Sequence, residues 1–172
     1  YIPATRPDLV GDVLTQVASG VTSSIIALED GIRDDLLPDA WANVAGLLDE
    51  LGRIWDGVAF PLALFVRVRE AAEVVRFTDR VGLPRGLAGF VLPKCDGRSL
   101  RVAAEGLQSV GGAGLRLMPV VETVDFVRHT TRQPALAELA AAVAAHREAI
   151  LAVRFGAVDL AGAFSVRLGA RL

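Results

Sequence analysis

Several short apolar runs in this chain each end in charge. Ile25-Ile26-Ala27-Leu28 runs into Glu29-Asp30, and Leu64-Phe65-Val66 into Arg67. Val91-Leu92-Pro93 leads to Lys94, Pro119-Val120-Val121 to Glu122, and Ala157-Val158 to Asp159. Arg6 and Arg69 stand in comparable places. The carboxylates Glu29, Asp30, Glu122 and Asp159 are hard oxygen donors, which suit Mg²⁺ or Mn²⁺ better than zinc. Mg²⁺ takes one or two protein carboxylates and leaves its other positions to water and substrate oxygens. A 2-oxo acid or its enolate offers two such oxygens, and a bound cation would stabilise charge developing on the enolate. An arginine among these residues can fork a substrate carboxylate in a way that lysine cannot.

Such residues act together only if the fold brings them to one rim. The apolar runs are strand-like: Ser24 to Leu28, Leu62 to Val68, Gly89 to Leu92, Leu115 to Val121 and Ile150 to Val158, with a remnant at Tyr1 to Pro3. Segments of helical period separate them: Pro7 to Ser19, Pro38 to Ile54, Ala71 to Val81, Ser99 to Val110, Val124 to Thr131 and Pro134 to Ala149. Pro38 and Pro134 fall where a first helical turn tolerates a missing N–H. This alternation implies an α/β fold with a parallel sheet covered by helices. An open doubly wound sheet and a closed barrel compete. Charge at nearly every strand end favours the barrel, whose C-terminal strand ends ring one mouth. No G-x-G-x-x-G follows the first strand, which argues against a dinucleotide-binding sheet. The expected architecture is a TIM (β/α)₈-type barrel with about six βα units, incomplete against the roughly 250 residues of a full barrel. Residues 1–172 then form a single domain, truncated at its C-terminus, with the remaining units absent or supplied by another segment or chain.

Composition narrows the function classes. The chain has 172 residues, 52% of them hydrophobic, and a mean hydropathy of +0.44, which excludes disorder. A net charge of −2 without a polybasic run gives no reason to expect nucleic acid or an anionic membrane as partner. No uncharged apolar run reaches the ~18 residues of a spanning helix. Cys95 is the only cysteine, and no secretory signal is visible, so a reducing, cytoplasmic setting is expected.

The ordered motifs resemble the HpcH/HpaI aldolase and citrate lyase beta-subunit superfamily. Tyr1-Ile2-Pro3-Ala4-Thr5-Arg6-Pro7-Asp8 is similar to that group's opening strand and loop, and Leu28-Glu29-Asp30-Gly31 to its acidic second strand. Phe65-Val66-Arg67-Val68-Arg69, Val91-Leu92-Pro93-Lys94, Pro119-Val120-Val121-Glu122-Thr123 and Gly156-Ala157-Val158-Asp159-Leu160 resemble its third to sixth strands. The resemblance implies a Mg²⁺- or Mn²⁺-dependent carbon–carbon lyase with Glu122 and Asp159 as metal carboxylates. It implies that Arg67 grips a substrate carboxylate, that Glu29 and Asp30 lie in the catalytic site, and that Arg6 and Lys94 contribute to substrate binding. The substrate class it implies is a 3-hydroxy acyl thioester, on coenzyme A or acyl carrier protein, or a 2-oxo acid, converted through a metal-stabilised enolate. Homo-oligomers are expected on the same ground.

There are departures. Ala27 replaces the first aspartate of the acidic motif, Arg69 stands where asparagine is common, and Val124-Asp125-Phe126 follow Glu122-Thr123 in place of small residues. The wording of Ile2 to Asp8 and of Val153 to Leu160 is similar to a divergent lyase branch associated with tellurium-resistance and stress gene clusters.

Plainer readings compete at each position. Asp159 can cap a helical turn, Arg67 can form a structural salt bridge with Glu29 or Glu122, and Lys94 can lie over an apolar wall. Cys95 reads as a half-buried structural thiol, His129 and His146 as surface or packing residues, and Trp41 and Trp55 as core. The run Gly111 to Gly114 precedes a strand and reads as a turn, not a phosphate loop. The alternative function is a non-catalytic barrel subunit that serves as a binding or scaffold protein in a biosynthetic or stress-resistance complex.

Overall fold

A computed structural model describes residues 1–29 and 31–166. Strands β1 (Ile2–Pro3), β2 (Ser23–Ala27), β3 (Ala63–Arg67), β4 (Leu87–Leu92), β5 (Arg116–Val121) and β6 (Arg154–Phe155) form one sheet in sequence order, every neighbouring pair parallel. A doubly wound sheet must reverse its strand order at a switch point. This sheet never does, so the barrel-type winding holds.

The helices α1 (Leu9–Ala18), α2 (Leu37–Ile54), α3 (Glu73–Val81), α4 (Gly97–Ser109), α5 (Arg132–Ala145) and α6 (Ala157–Gly162) occupy the crossovers. Capping sets two of their starts. Asp8 accepts from the Gly11 N–H at 2.8 Å, and Asp96 accepts from the Ser99 N–H at 2.7 Å, in each case satisfying a backbone donor that the first turn leaves open.

The barrel is not closed: β1 and β6 are not paired with each other. The sheet nevertheless curls strongly. Six flat strands spaced about 4.8 Å apart would span about 24 Å. Yet Arg154 on β6 reaches the hydroxyl of Tyr1, beside β1, at 2.8 Å.

Two apolar layers follow from strand alternation. Ile26, Leu64, Val66, Phe90, Leu92, Leu117 and Val121 face the helices, meeting Val13, Trp41, Val44, Leu48, Leu100 and Leu107. Phe77 of α3 packs between Trp41 and Phe90, tilted against the first ring and edge-on to the second, with ring centroids 5.4 Å away on each side. Burying one such side chain contributes roughly 1.5–3 kcal/mol. The opposite face carries Ile25, Phe65, Val91, Met118 and Val120, which fill the barrel interior. Gly89 takes φ +153, and a Cβ there would lie 1.8 Å from the Arg116 carbonyl oxygen. Only glycine admits β5 so close at this point.

Two sequence expectations change. The run Ile150 to Val158 is strand only at Arg154–Phe155, with a single bridge from Ile150 to Leu117. The chain turns helical at Ala157, so Asp159 lies in the first turn of α6, not at a strand end. Val124 to Thr131 forms only a 3₁₀ turn at Val124–Phe126. It lacks a side-chain cap, and the Thr131 hydroxyl donates to the Asp125 carbonyl at 2.9 Å, closing the segment as a loop.

Candidate functional site

Alternation places the chemistry on the inner face. Arg67 follows inward-facing Phe65 by two residues, and Glu122 follows inward-facing Val120 by two. Ala27 pairs with Arg67 in register, and Glu29 lies two residues beyond. All sit at the C-terminal mouth of the sheet, the end where barrel enzymes carry their sites.

Arg67 joins these residues. Its Nε donates to Glu29 Oε2, and its Nη2 donates to Glu122 Oε1 at 3.3 Å. The side chains are only 10% exposed for Arg67, 10% for Glu29 and 2% for Glu122. Burial alone would penalise the Arg67 cation, but the hydrogen bond to Glu29 and the charges of Glu29 and Glu122 outweigh it, so its pKa rises and it stays charged. The structural salt bridge foreseen for this arginine therefore exists with both carboxylates, at the same rim.

Lys94 contributes through its backbone. It adopts φ 48, a left-handed conformation uncommon outside glycine, and its N–H donates to Glu122 Oε1 at 2.8 Å. Its ammonium stands 3.6 Å from Glu29 Oε1 on a side chain that is 65% exposed.

Glu122, Asp159 and Arg67 line a common cavity of about 500 Å³ with Tyr1, Arg154 and Gly156. Burial pushes the Glu122 carboxyl above its ordinary range. The Lys94 N–H and Arg67 oppose that rise, while the neighbouring Asp159 carboxyl adds to it. Two carboxylates this close repel each other when ionised, a conflict that a cation between them relieves. Among the described residues no group of three or more His, Cys, Asp or Glu side chains could hold a metal. The donor set on offer is thus a carboxylate pair, which matches Mg²⁺ or Mn²⁺ completed by water and substrate oxygens and does not match zinc.

Not every expected residue converges here. Arg6 lies apart from the cavity, 55% exposed and paired with Asp12 of α1 at 2.8 Å. Arg69 binds the carbonyls of Leu28 and Ile32 and the Asp34 carboxylate, pinning the loop after β2. Asp30 lies outside the described residues. Cys95 is fully buried, not half-buried, and burial pushes its thiol up to about 12, with Asp96 adding to the effect. His129 is exposed, His146 half-buried, and neither lines the cavity. Trp41 is core, and Trp55 is half-buried against it. Gly111 to Gly114 forms a turn.

Three lining residues escaped sequence reasoning: Tyr1, Arg154 and Gly156. Arg154 was detectable as the only charge inside the run Ile150 to Val158. Gly156 has a steric role: a Cβ there would lie 2.4 Å from Glu122 Oε2 and 2.5 Å from Glu122 Cβ. Its bareness lets β6 pass beneath that carboxylate.

The model of the carbon–carbon bond lyase family of the TIM-barrel fold matches residues 1–172. The chain belongs to the C-C bond lyase family. The sheet order and the inner-rim cluster agree with the barrel fold named for that family. No curated protein matches this family member. Its structure is similar to the crystal structure of RipC from Yersinia pestis, with a TM-score of 0.61 and 21% sequence identity, over 96% of this chain and 60% of RipC. At that identity the likeness speaks for fold alone, and the chain spans 60% of RipC's length. No helix among the described residues is long and apolar enough to cross a membrane.

Proposed function

We propose that this C-C bond lyase family member is a Mg²⁺- or Mn²⁺-dependent lyase of the citrate lyase beta-subunit type, within the HpcH/HpaI superfamily. Its motif wording supports the divergent branch associated with tellurium-resistance and stress gene clusters. The observation that carries the reading is the adjacency of Glu122 and Asp159 in a cavity that Arg67 also lines. Glu122 and Asp159 would hold the ion, which when bound supplies electrostatic stabilisation for charge developing on an enolate oxygen.

The chain's own residues do the rest. Arg67 fixes the substrate carboxylate at the rim while keeping Glu29 and Glu122 in place. Glu29, with Asp30 beside it in sequence, completes the acidic side of the site. The Lys94 N–H holds one Glu122 oxygen, so the carboxylate keeps a fixed direction. Cleavage of a 3-hydroxy acyl thioester, or of a 2-oxo acid that carries a hydroxyl at C4, transfers the hydroxyl proton to a base. It breaks the carbon–carbon bond to give a carbonyl product and passes the bond's electron pair to the enolate. Assembly as a homo-oligomer belongs to the same reading.

The test is isothermal titration of the full chain with MgCl₂ and MnCl₂, beside Glu122→Gln and Asp159→Asn. Saturable binding that each substitution weakens by about tenfold or more supports the lyase. Absent binding, or binding indifferent to both substitutions, overturns it in favour of a non-catalytic scaffold subunit. Solvent exchange of pyruvate or oxaloacetate methyl and methylene protons, dependent on the ion, would place free 2-oxo acids among the substrates.

A further inference from the structure

Strand β3 and the residues just past it hold Glu29 twice. Arg67 takes the Glu29 carboxylate through Nε, and Arg69 takes the backbone on either side of it. Arg69 Nε donates to the Leu28 carbonyl at 3.1 Å, and its Nη2 donates to the Ile32 carbonyl. Between those carbonyls lies a turn, closed by the Ile32 N–H on the Glu29 carbonyl at 3.2 Å, with Gly31 at φ +81.

The ladder between β2 and β3 explains why a side chain is needed there. Ala27 pairs with Arg67, and the Leu28 N–H donates to the Arg67 carbonyl at 2.9 Å. A parallel ladder carried one step further would send the Arg69 N–H to the Leu28 carbonyl. That N–H goes instead to Glu73 Oε2, at 2.6 Å, in the first turn of α3. Leu28 is fully buried, so a carbonyl left without a donor there is costly. The Arg69 guanidinium supplies the missing donor, and its second arm reaches Ile32 across the turn. The strands part at this point, and the loop that carries Glu29 stays tied to β3 by one side chain.

Lysine would not do the same, because its compact ammonium lacks the fork that spans two carbonyls. The third contact, from Nη1 to the Asp34 carboxylate at 2.5 Å, meets a side chain that is 94% exposed and contributes little. Arg69 does not line the cavity.

We propose that Arg69 is a positioning residue, which replaces the last ladder bond and so sets where the Glu29 carboxylate stands against Arg67 and Lys94. This rests on Glu29 and Arg67 belonging to the site of the proposed lyase. Arg69 acts through Glu29.

The Arg67 Nε–H reports the place of Glu29, which accepts from it. The full chain is labelled with ¹⁵N-arginine and kept in EDTA. The Arg67 resonance is assigned by its loss in Arg67→Lys, and its exchange with solvent is measured. In the wild type it should exchange about tenfold or more slowly than the exposed arginines. Arg69→Met keeps most of the stem and removes every donor. It should speed the Arg67 exchange by about tenfold, the size of one charge-assisted hydrogen bond. Asp34→Asn should leave the rate within about twofold of wild type. Glu29→Gln should raise the rate, and Arg69→Met added to it should change nothing further. An Arg67 rate unchanged in Arg69→Met, even with a lowered urea midpoint, makes Arg69 merely structural and overturns the proposal. So does an Arg69→Met effect that persists in the Glu29→Gln background, an equal rise in Asp34→Asn, or a wild-type rate equal to that of the exposed arginines. If Arg69→Met fails to fold, Arg69→Lys decides, since it keeps the charge and loses the fork. A rate raised by about threefold or more supports the proposal, and a smaller change overturns it. A Mn²⁺ titration of the wild type, without EDTA, separates the two readings. Failure of the ion to bind ends the metal assignment, while the metal-free exchange rates still judge Arg69.

Discussion

Replacing Gly156 by alanine tests whether the approach of β6 beneath Glu122 is a built feature of the site. The new methyl would sit 2.4 Å from Glu122 Oε2, 2.5 Å from its Cβ and 3.2 Å from its Cδ. Ordinary carbon–carbon contact begins at about 3.5 Å, so the overlap with Cβ is about 1 Å. That atom is fixed to the backbone at the end of β5 and cannot swing away as the carboxylate can. Overpacking of this kind costs roughly 1–3 kcal/mol. Against it, alanine reduces the entropy of the unfolded chain, which contributes about 0.4–1 kcal/mol, and Gly156 at φ −84 imposes no backbone penalty on alanine. The balance is a loss of about 1–2 kcal/mol, read as a lower urea midpoint at unchanged slope. Under the proposed metal assignment, a carboxylate displaced by about 1 Å should also weaken Mn²⁺ binding by about tenfold or more. The cycle with Glu122→Gly isolates the contact, because that change removes the Cβ that the methyl meets. In that background Gly156→Ala should cost almost nothing. A stability change within about 0.5 kcal/mol in the wild-type background, or equal costs in both, would refute the steric reasoning.

The raised Glu122 pKa means that the folded state holds a proton the unfolded chain has released, so stability should fall as pH rises from the ordinary carboxylate range through the Glu122 value. Glu122→Gln should flatten that segment of a urea-midpoint profile; under the proposed metal assignment, Mn²⁺ affinity should rise across the same window as the ion displaces the proton. Removing Arg67 strands Glu29 and Glu122 without their buried partner, so Arg67→Met should cost about 3–5 kcal/mol in denaturant unfolding. A cost below 1 kcal/mol would show that the pair is solvated. Cys95, the only cysteine, should resist a thiol reagent at pH 8 in the folded chain and react promptly in 6 M guanidinium, because burial keeps it in the thiol form. Stoichiometric labelling of the folded protein would contradict its burial.

Much of this was written in local sequence. Apolar runs bounded by helical periods are short-range signals, and they gave the β/α alternation with its strand-end charges. The residues Arg67 and Glu122 were legible because a strand ending at a sheet mouth delivers its next side chains to solvent or to a site. Three things were decided by the tertiary structure. Parallel pairing without reversal curled the sheet until Arg154 met Tyr1, and register with Val120 turned that arginine inward. The chain turned helical after Gly156, which carried Asp159 off the strand yet left it beside Glu122. Asp12, one helical turn beyond its cap, drew Arg6 away from the cavity. Periodicity records which residues are apolar and how they are spaced. Which face a charge occupies, and which distant charge answers it, depends on pairing and curvature, which are properties of the whole sheet.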